Sequence, residues 1–101
     1  MAGRFQDVIR RQLDLFEQEQ TDLIEDVEAA ETAYRRSGRE EAEEIYGDYL
    51  DLVETATEVL AELRDNYAAA LDDNTADEYE HEFNRAVLRR FPRFALEIED
   101  T

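Results

Sequence analysis

Lysine is missing from this chain: its eleven basic residues are all arginine, they face 28 Asp and Glu, and the formal net charge is -17 over 101 residues. A charge so far from zero opposes compaction by self-repulsion, and it is tolerable where salt near 1 M shortens the Debye length to about 3 Å. The reading that follows is a salt-adapted, halophilic protein of a salt-rich cytosol. An arginine-biased genome whose acids simply solvate helix surfaces gives the same inventory, and composition leaves both accounts standing.

Cysteine is also absent. That excludes disulfides, thiolate metal sites and a cysteine nucleophile. The first residues, Met-Ala-Gly-Arg-Phe-Gln-Asp, lack the apolar core of a signal peptide, and no apolar run approaches the ~20 residues that span a bilayer. Acidic helix faces are repelled by anionic head groups, so membrane-surface binding is not expected either, and the expected location is cytoplasmic. Glycine-rich phosphate loops, nucleophile elbows and a histidine with a serine partner are all wanting. From the sequence we therefore expect no catalytic residue, no cofactor and no enzyme activity.

What is present is apolar periodicity. Hydrophobic residues make up 43 % of the chain, which with regular spacing argues for a folded domain despite the charge. Ile9, Leu13, Phe16, Leu23, Val27, Ala30 and Tyr34 recur in steps of four and three, with only Gln20 polar in the register. This predicts one helix over about 4–36. Arg35-Arg36-Ser37-Gly38 then reads as a stop, with Gly38 as a left-handed cap and Ser37 with Glu40 as a capping box. One unbroken helix through Gly38 is the alternative, because an interior glycine costs only ~1 kcal/mol.

The second segment, about 39–71, carries Ala42, Ile45, Tyr49, Leu52, Ala56, Val59 and Leu63, flanked by Tyr46, Val53, Leu60 and Tyr67. An apolar face this broad suits the central helix of a bundle, touching two neighbours. Gly47 within it is expected to admit close approach of a neighbouring backbone. Thr75 and Glu78 have capping-box spacing and predict a third helix over about 76–91, with Tyr79, Phe83, Ala86, Val87 and Phe91 as its apolar side. Pro92 ends or kinks it, and Phe94, Leu96 and Ile98 alternate through a tail over 92–101.

The expected fold is thus all-α: a long antiparallel helical hairpin plus a shorter third helix, a three-helix bundle-like protomer in a single domain. The third helix is too short to cover the hairpin. A second copy is the simplest cover, so we expect a homodimer with a four-helix core, Gln20 fixing its register as a polar core residue can in coiled coils.

Two clusters bear on function. Glu78 and His81 stand three apart on a helix, a spacing used by di-iron carboxylate bundles. The stretch from Asn74 to His81, followed by Arg89, Arg90, Pro92 and Phe94, resembles the Glu-x-x-His helix of encapsulated ferritin-like proteins. That resemblance implies an iron site completed by carboxylates of a neighbouring helix and a second subunit, for which Glu54 or Glu58 stand available. Set against it, a solvated histidine at a helix start is the plain account.

The second cluster is Arg85, Arg89, Arg90 and Arg93 interleaved with Phe83, Phe91 and Phe94, a pattern that can grip nucleic acid. Total charge opposes phosphate binding, and pairing of these arginines with acidic helix faces is favoured. The leading expectation is an interaction or adaptor protein whose partner surface comprises Arg85, Arg89, Arg90, Phe91, Arg93 and Phe94. A ferritin-like metal-binding module is the alternative, and a regulator contacting nucleic acid or a nucleic-acid-binding partner is the third reading.

Overall fold

The computed structural model describes residues 3–95. Among the described residues the chain forms α1 (Gln6–Glu19), α2 (Thr21–Arg36), α3 (Arg39–Ala68) and α4 (Asp73–Arg90), then a 3-10 turn at Pro92–Phe94, with no strand. No helix among them is long and apolar enough to cross a membrane.

The first expected helix is two. It breaks at Gln20 (φ -111, ψ 28), although the Gln20 amide still donates to the Phe16 carbonyl at 2.9 Å and its own carbonyl accepts from Ile24 at 2.9 Å. Thr21 Oγ1 donates to the carbonyls of Glu17 and Gln18 at 2.9 and 3.1 Å at this bend, an arrangement that favours bending; Thr55 makes a similar bond to the Asp51 carbonyl at 2.9 Å inside unbroken α3, so the hydroxyl accompanies the bend and does not by itself produce it. Gln20 is half-buried at this bend.

The stop at Ser37-Gly38 is real, but its chemistry differs from the expected one. Gly38 is extended (φ -79, ψ 169) and precedes α3 without a side-chain cap, and Ser37 Oγ donates back to the Tyr34 carbonyl at 2.7 Å, closing α2 instead of opening α3. The last helix likewise begins before Ala76. Asp72 is its N-cap, its carboxylate accepting from the Thr75 amide and the Thr75 hydroxyl, each at 2.9 Å. These two bonds, the amide first, hold the Asp72 carboxyl below the ordinary range. Pro92 ends α4 and opens the 3-10 turn; Leu96 and Ile98 of the expected alternating tail lie outside the described residues.

Helix α3, of 30 residues and so about 45 Å long, is the spine. Its first half pairs with α2 across the Ser37–Gly38 turn; its second half meets α4 and the 3-10 turn, and α1 folds back onto α4. Tyr67 packs on Tyr79 and Arg64 bonds Asn84, so α3 and α4 run antiparallel; Phe5 meets Tyr79 and Phe16 meets Phe91, so α1 and α4 run parallel. The molecule is therefore a three-helix end carrying a two-helix arm. Extents of 50 × 30 × 25 Å and a radius of gyration of 15.6 Å, against about 13 Å for a compact chain of this length, describe the same elongation.

The core runs along the three-helix end and into the bend. Leu13, Phe16, Val27, Leu60, Tyr79, Phe83 and Val87 are essentially inaccessible. Each large side chain so buried contributes about 1.5–3 kcal/mol. Their spacing along α1 and α4 is the four-and-three step of the sequence, which is why the apolar pattern identified them. The arm is different: Tyr34, Tyr46 and Leu50 are 41, 44 and 45 % exposed.

Candidate functional site

Between α1 and α4 lies a groove of about 580 Å³. Both helices turn their core stripe inward, so residues at the stripe's edge form the groove: Ile9 and Leu13 from α1 and Ala86 from α4 give an apolar floor. Arg10 from α1 and Arg85, Arg89 and Arg90 from α4 line it. Four of the eleven arginines thus meet in one place on a chain of charge -17.

The four differ in freedom. Arg90 is pinned, with Nη2 at 2.7 Å from Asp14 Oδ1 and 3.4 Å from Glu17 Oε1, and its guanidinium 5.2 Å from the centroid of the Phe91 ring. Arg10 has one loose, exposed ion pair, to Asp7 at 3.5 Å. Arg85 and Arg89 are exposed and form no ion pair among the described residues. One turn apart on α4, they present two guanidinium forks about 6 Å from each other along the helix axis. At the far end of the groove Glu82 Oε1 accepts the Phe5 amide at 3.2 Å, serving the start of α1. A side chain at Gly3 would collide with that carboxylate, so Gly3 lets the chain pass over Glu82.

The rest of the expected partner surface is used inside the chain. Arg93 grips Glu31 with both ends of its fork, Nε to Oε2 at 2.8 Å and Nη2 to Oε1 at 3.0 Å. This bond is the main reason the Glu31 carboxyl sits below its ordinary range and the Arg93 guanidinium above its own. Phe94 is buried, and Phe91 stands edge-on to Phe16 at 5.4 Å. Together these contacts fasten the end of α4 and the 3-10 turn to the end of α1 through Phe16 and to the second half of α2 through Glu31. The expected surface therefore divides: Arg85, Arg89 and Arg90 line the groove, whereas Phe91, Arg93 and Phe94 form a structural clasp.

The residues of the metal reading are not brought together. Glu78 pairs with Arg4 at 3.3 Å and His81 is exposed. Because Arg64 faces Asn84 in an antiparallel pair, Glu54 lies about 15 Å along α3 in one direction and Glu78 about 9 Å along α4 in the other. Glu58 lies on the same side of that contact as Glu54. No group of three acidic or histidine side chains among the described residues is arranged to hold a metal ion.

Two features were not read from the sequence. Arg10 joins the groove only because α1 folds onto α4; its spacing of three from Leu13, which puts it at the stripe's edge, was the available signal. The arm carries an exposed aromatic cluster, with Tyr34 and Tyr46 rings 5.2 Å apart and Tyr46 and Tyr49 rings 6.3 Å apart. Gly47 beside it departs from expectation: a Cβ there would meet nothing within 4 Å, so no backbone of the same chain approaches it.

Chemically, the groove offers guanidinium forks over an apolar floor, and no hydroxyl, thiol or imidazole lines it. Such forks match carboxylates in bidentate geometry. Compared with family models, with curated proteins and with solved structures, the chain gives no match.

Proposed function

We propose that this chain is a non-enzymatic, salt-adapted interaction or adaptor protein that engages acidic helical surfaces through the groove between α1 and α4, and that it acts as a homodimer. The observation that carries this reading is the pair Arg85 and Arg89, exposed and without an ion pair among the described residues, above Ile9, Leu13 and Ala86. A surface helix that carries carboxylates on either side of an apolar residue satisfies both features at once. Arg11, Arg36 and Arg39 are likewise exposed and without an ion pair among the described residues, so what sets Arg85 and Arg89 apart is that they stand one turn apart on a single groove, where a partner's carboxylates can reach both.

Nucleic acid is the weaker occupant. The aromatic side chains nearest the arginines, Phe91 and Phe94, are packed against Phe16 instead of offering a stacking face to bases. A pull-down from native lysate in molar KCl, with wild type and Arg85→Glu/Arg89→Glu as baits, tests the reading. Wild type is expected to retain proteins that the reversal loses. Identical retention by both baits, or retention of nucleic acid alone, would contradict it.

A further inference from the structure

One face of the arm is left exposed among the described residues, although Tyr46 on it touches Tyr34 of α2, with ring centroids 5.2 Å apart. Along α3, Glu43, Tyr46, Gly47, Leu50 and Glu54 follow one another in steps that keep them on one side of the helix, and all five are exposed. The stripe is apolar at its centre and carboxylated at both ends, with about 16 Å between Glu43 and Glu54. Gly47 stands at the middle. Glycine in a helix interior is less favourable than alanine, and no other element among the described residues comes within 4 Å of where a Cβ at Gly47 would stand.

We infer that the occupant of the α1–α4 groove is this stripe of α3 from a second copy of the chain, the two copies exchanging the contact about a two-fold axis. The inference rests on the groove reading given above and names its ligand. Charge decides between the faces. A stripe set against its own copy would bring Glu43 and Glu54 of one chain against the same carboxylates of the other, which like-charge repulsion opposes. Set into the groove, the stripe meets Arg10, Arg85 and Arg89, while Tyr46 and Leu50 lie over half-buried Ala86 and the apolar stems of these arginines, with Ile9 and Leu13 already buried beneath. Gly47 lets α3 come close enough for its short apolar centre to reach the floor.

Because stripe and groove are different surfaces, a single contact would propagate into an open chain of copies, and reciprocal exchange closes the pair.

The absence of cysteine makes the test clean. Leu50→Cys and Ala86→Cys are made in separate chains, checked for wild-type helicity, mixed, and oxidised at a salt concentration where both are folded. The expected result is a disulfide-linked pair in the mixture, about tenfold over either variant alone, and its loss when the Ala86→Cys chain also carries Arg85→Glu/Arg89→Glu. Tyr46→Cys serves as the stripe probe if Leu50→Cys does not fold. Linkage of Leu50→Cys to itself, with none in the mixture, would overturn the inference in favour of a symmetric stripe contact. A dimeric mass without linkage in the mixture would overturn it while leaving the groove to another acidic partner. A monomeric mass that binds an acidic amphipathic peptide through Arg85 and Arg89 would overturn the self-pairing alone. A monomer indifferent to such a peptide would overturn the groove reading with it.

Discussion

The Tyr79 hydroxyl donates to Gln12 Oε1 at 2.9 Å, joining α4 to α1 through a side chain whose ring lies wholly in the core. Phe5, Tyr67 and Phe83 surround that ring at centroid distances of 5.4, 4.6 and 5.8 Å. Gln12 remains accessible to water when the bond is lost, so Tyr79→Phe is expected to cost about 0.5–1.5 kcal/mol, whereas Tyr79→Ala opens a cavity costing about 3–5 kcal/mol. Urea denaturation monitored by circular dichroism measures both.

Burial pushes the Tyr79 hydroxyl up to about 12, against a smaller opposing effect of the Gln12 bond. The folded chain therefore holds this proton more tightly than the unfolded chain. The resulting stabilisation is complete below the ordinary tyrosine value of about 10 and is lost as pH rises through the folded value. In a titration of tyrosinate absorbance one of the five tyrosines should ionise late, and Tyr79→Phe should remove that late phase. Five tyrosines ionising together in the native chain would contradict the burial.

Arg93 and Glu31 make the clasp between the end of α4 and the arm. The Glu31 carboxyl is lowered, so its contribution is present above the unfolded carboxylate value of about 4 and is lost as pH falls through the folded one. Glu31→Gln should lower the melting temperature at neutral pH, and the gap from wild type should close on acidification. Arg93→Lys keeps the charge but not the planar fork and is expected to fall between the two.

Gly47→Ala separates the protomer from its assembly. No atom lies within 4 Å of the added methyl group, so helix propensity alone should raise protomer stability by about 0.5–1 kcal/mol. Association, measured by dilution in sedimentation velocity, should weaken. A variant that is both more stable and equally well associated would mean that the glycine serves neither purpose.

Salt dependence tests the reading of the composition. With 28 acids against eleven arginines, raising KCl from dilute buffer to molar concentration should raise the melting temperature by screening self-repulsion. A melting temperature that stays flat over that range would assign the acids to ordinary surface solvation.

The helical class, the central place of α3 and the buried positions Ile9, Leu13, Phe16, Tyr79, Phe83 and Val87 were legible in the four-and-three spacing, because one face of each helix must leave water. The bend at Gln20 was not. The four-and-three register runs through it with only Gln20 polar, and a threonine hydroxyl bonded to the preceding turn does not announce a bend, since Thr55 makes a similar bond within unbroken α3. Cap chemistry escaped for a similar reason: Asp72 and Thr75 are adjacent candidates, and which one caps α4 is decided by backbone geometry that spacing alone does not fix. At the groove, Arg85 and Arg89 were visible as a cluster. Separating them from Arg93 and Phe94 required knowing that α4 ends against Glu31 and Phe16, a tertiary fact.

The most direct test of the account is the mass of the chain in molar KCl, measured by sedimentation equilibrium for wild type and for Arg85→Glu/Arg89→Glu. The account expects wild type at twice the protomer mass of 11.8 kDa and the reversal at 11.8 kDa, with unchanged helicity. Wild type at 11.8 kDa, or a reversal that remains paired, would contradict the claim that this chain meets its partner through the arginine groove.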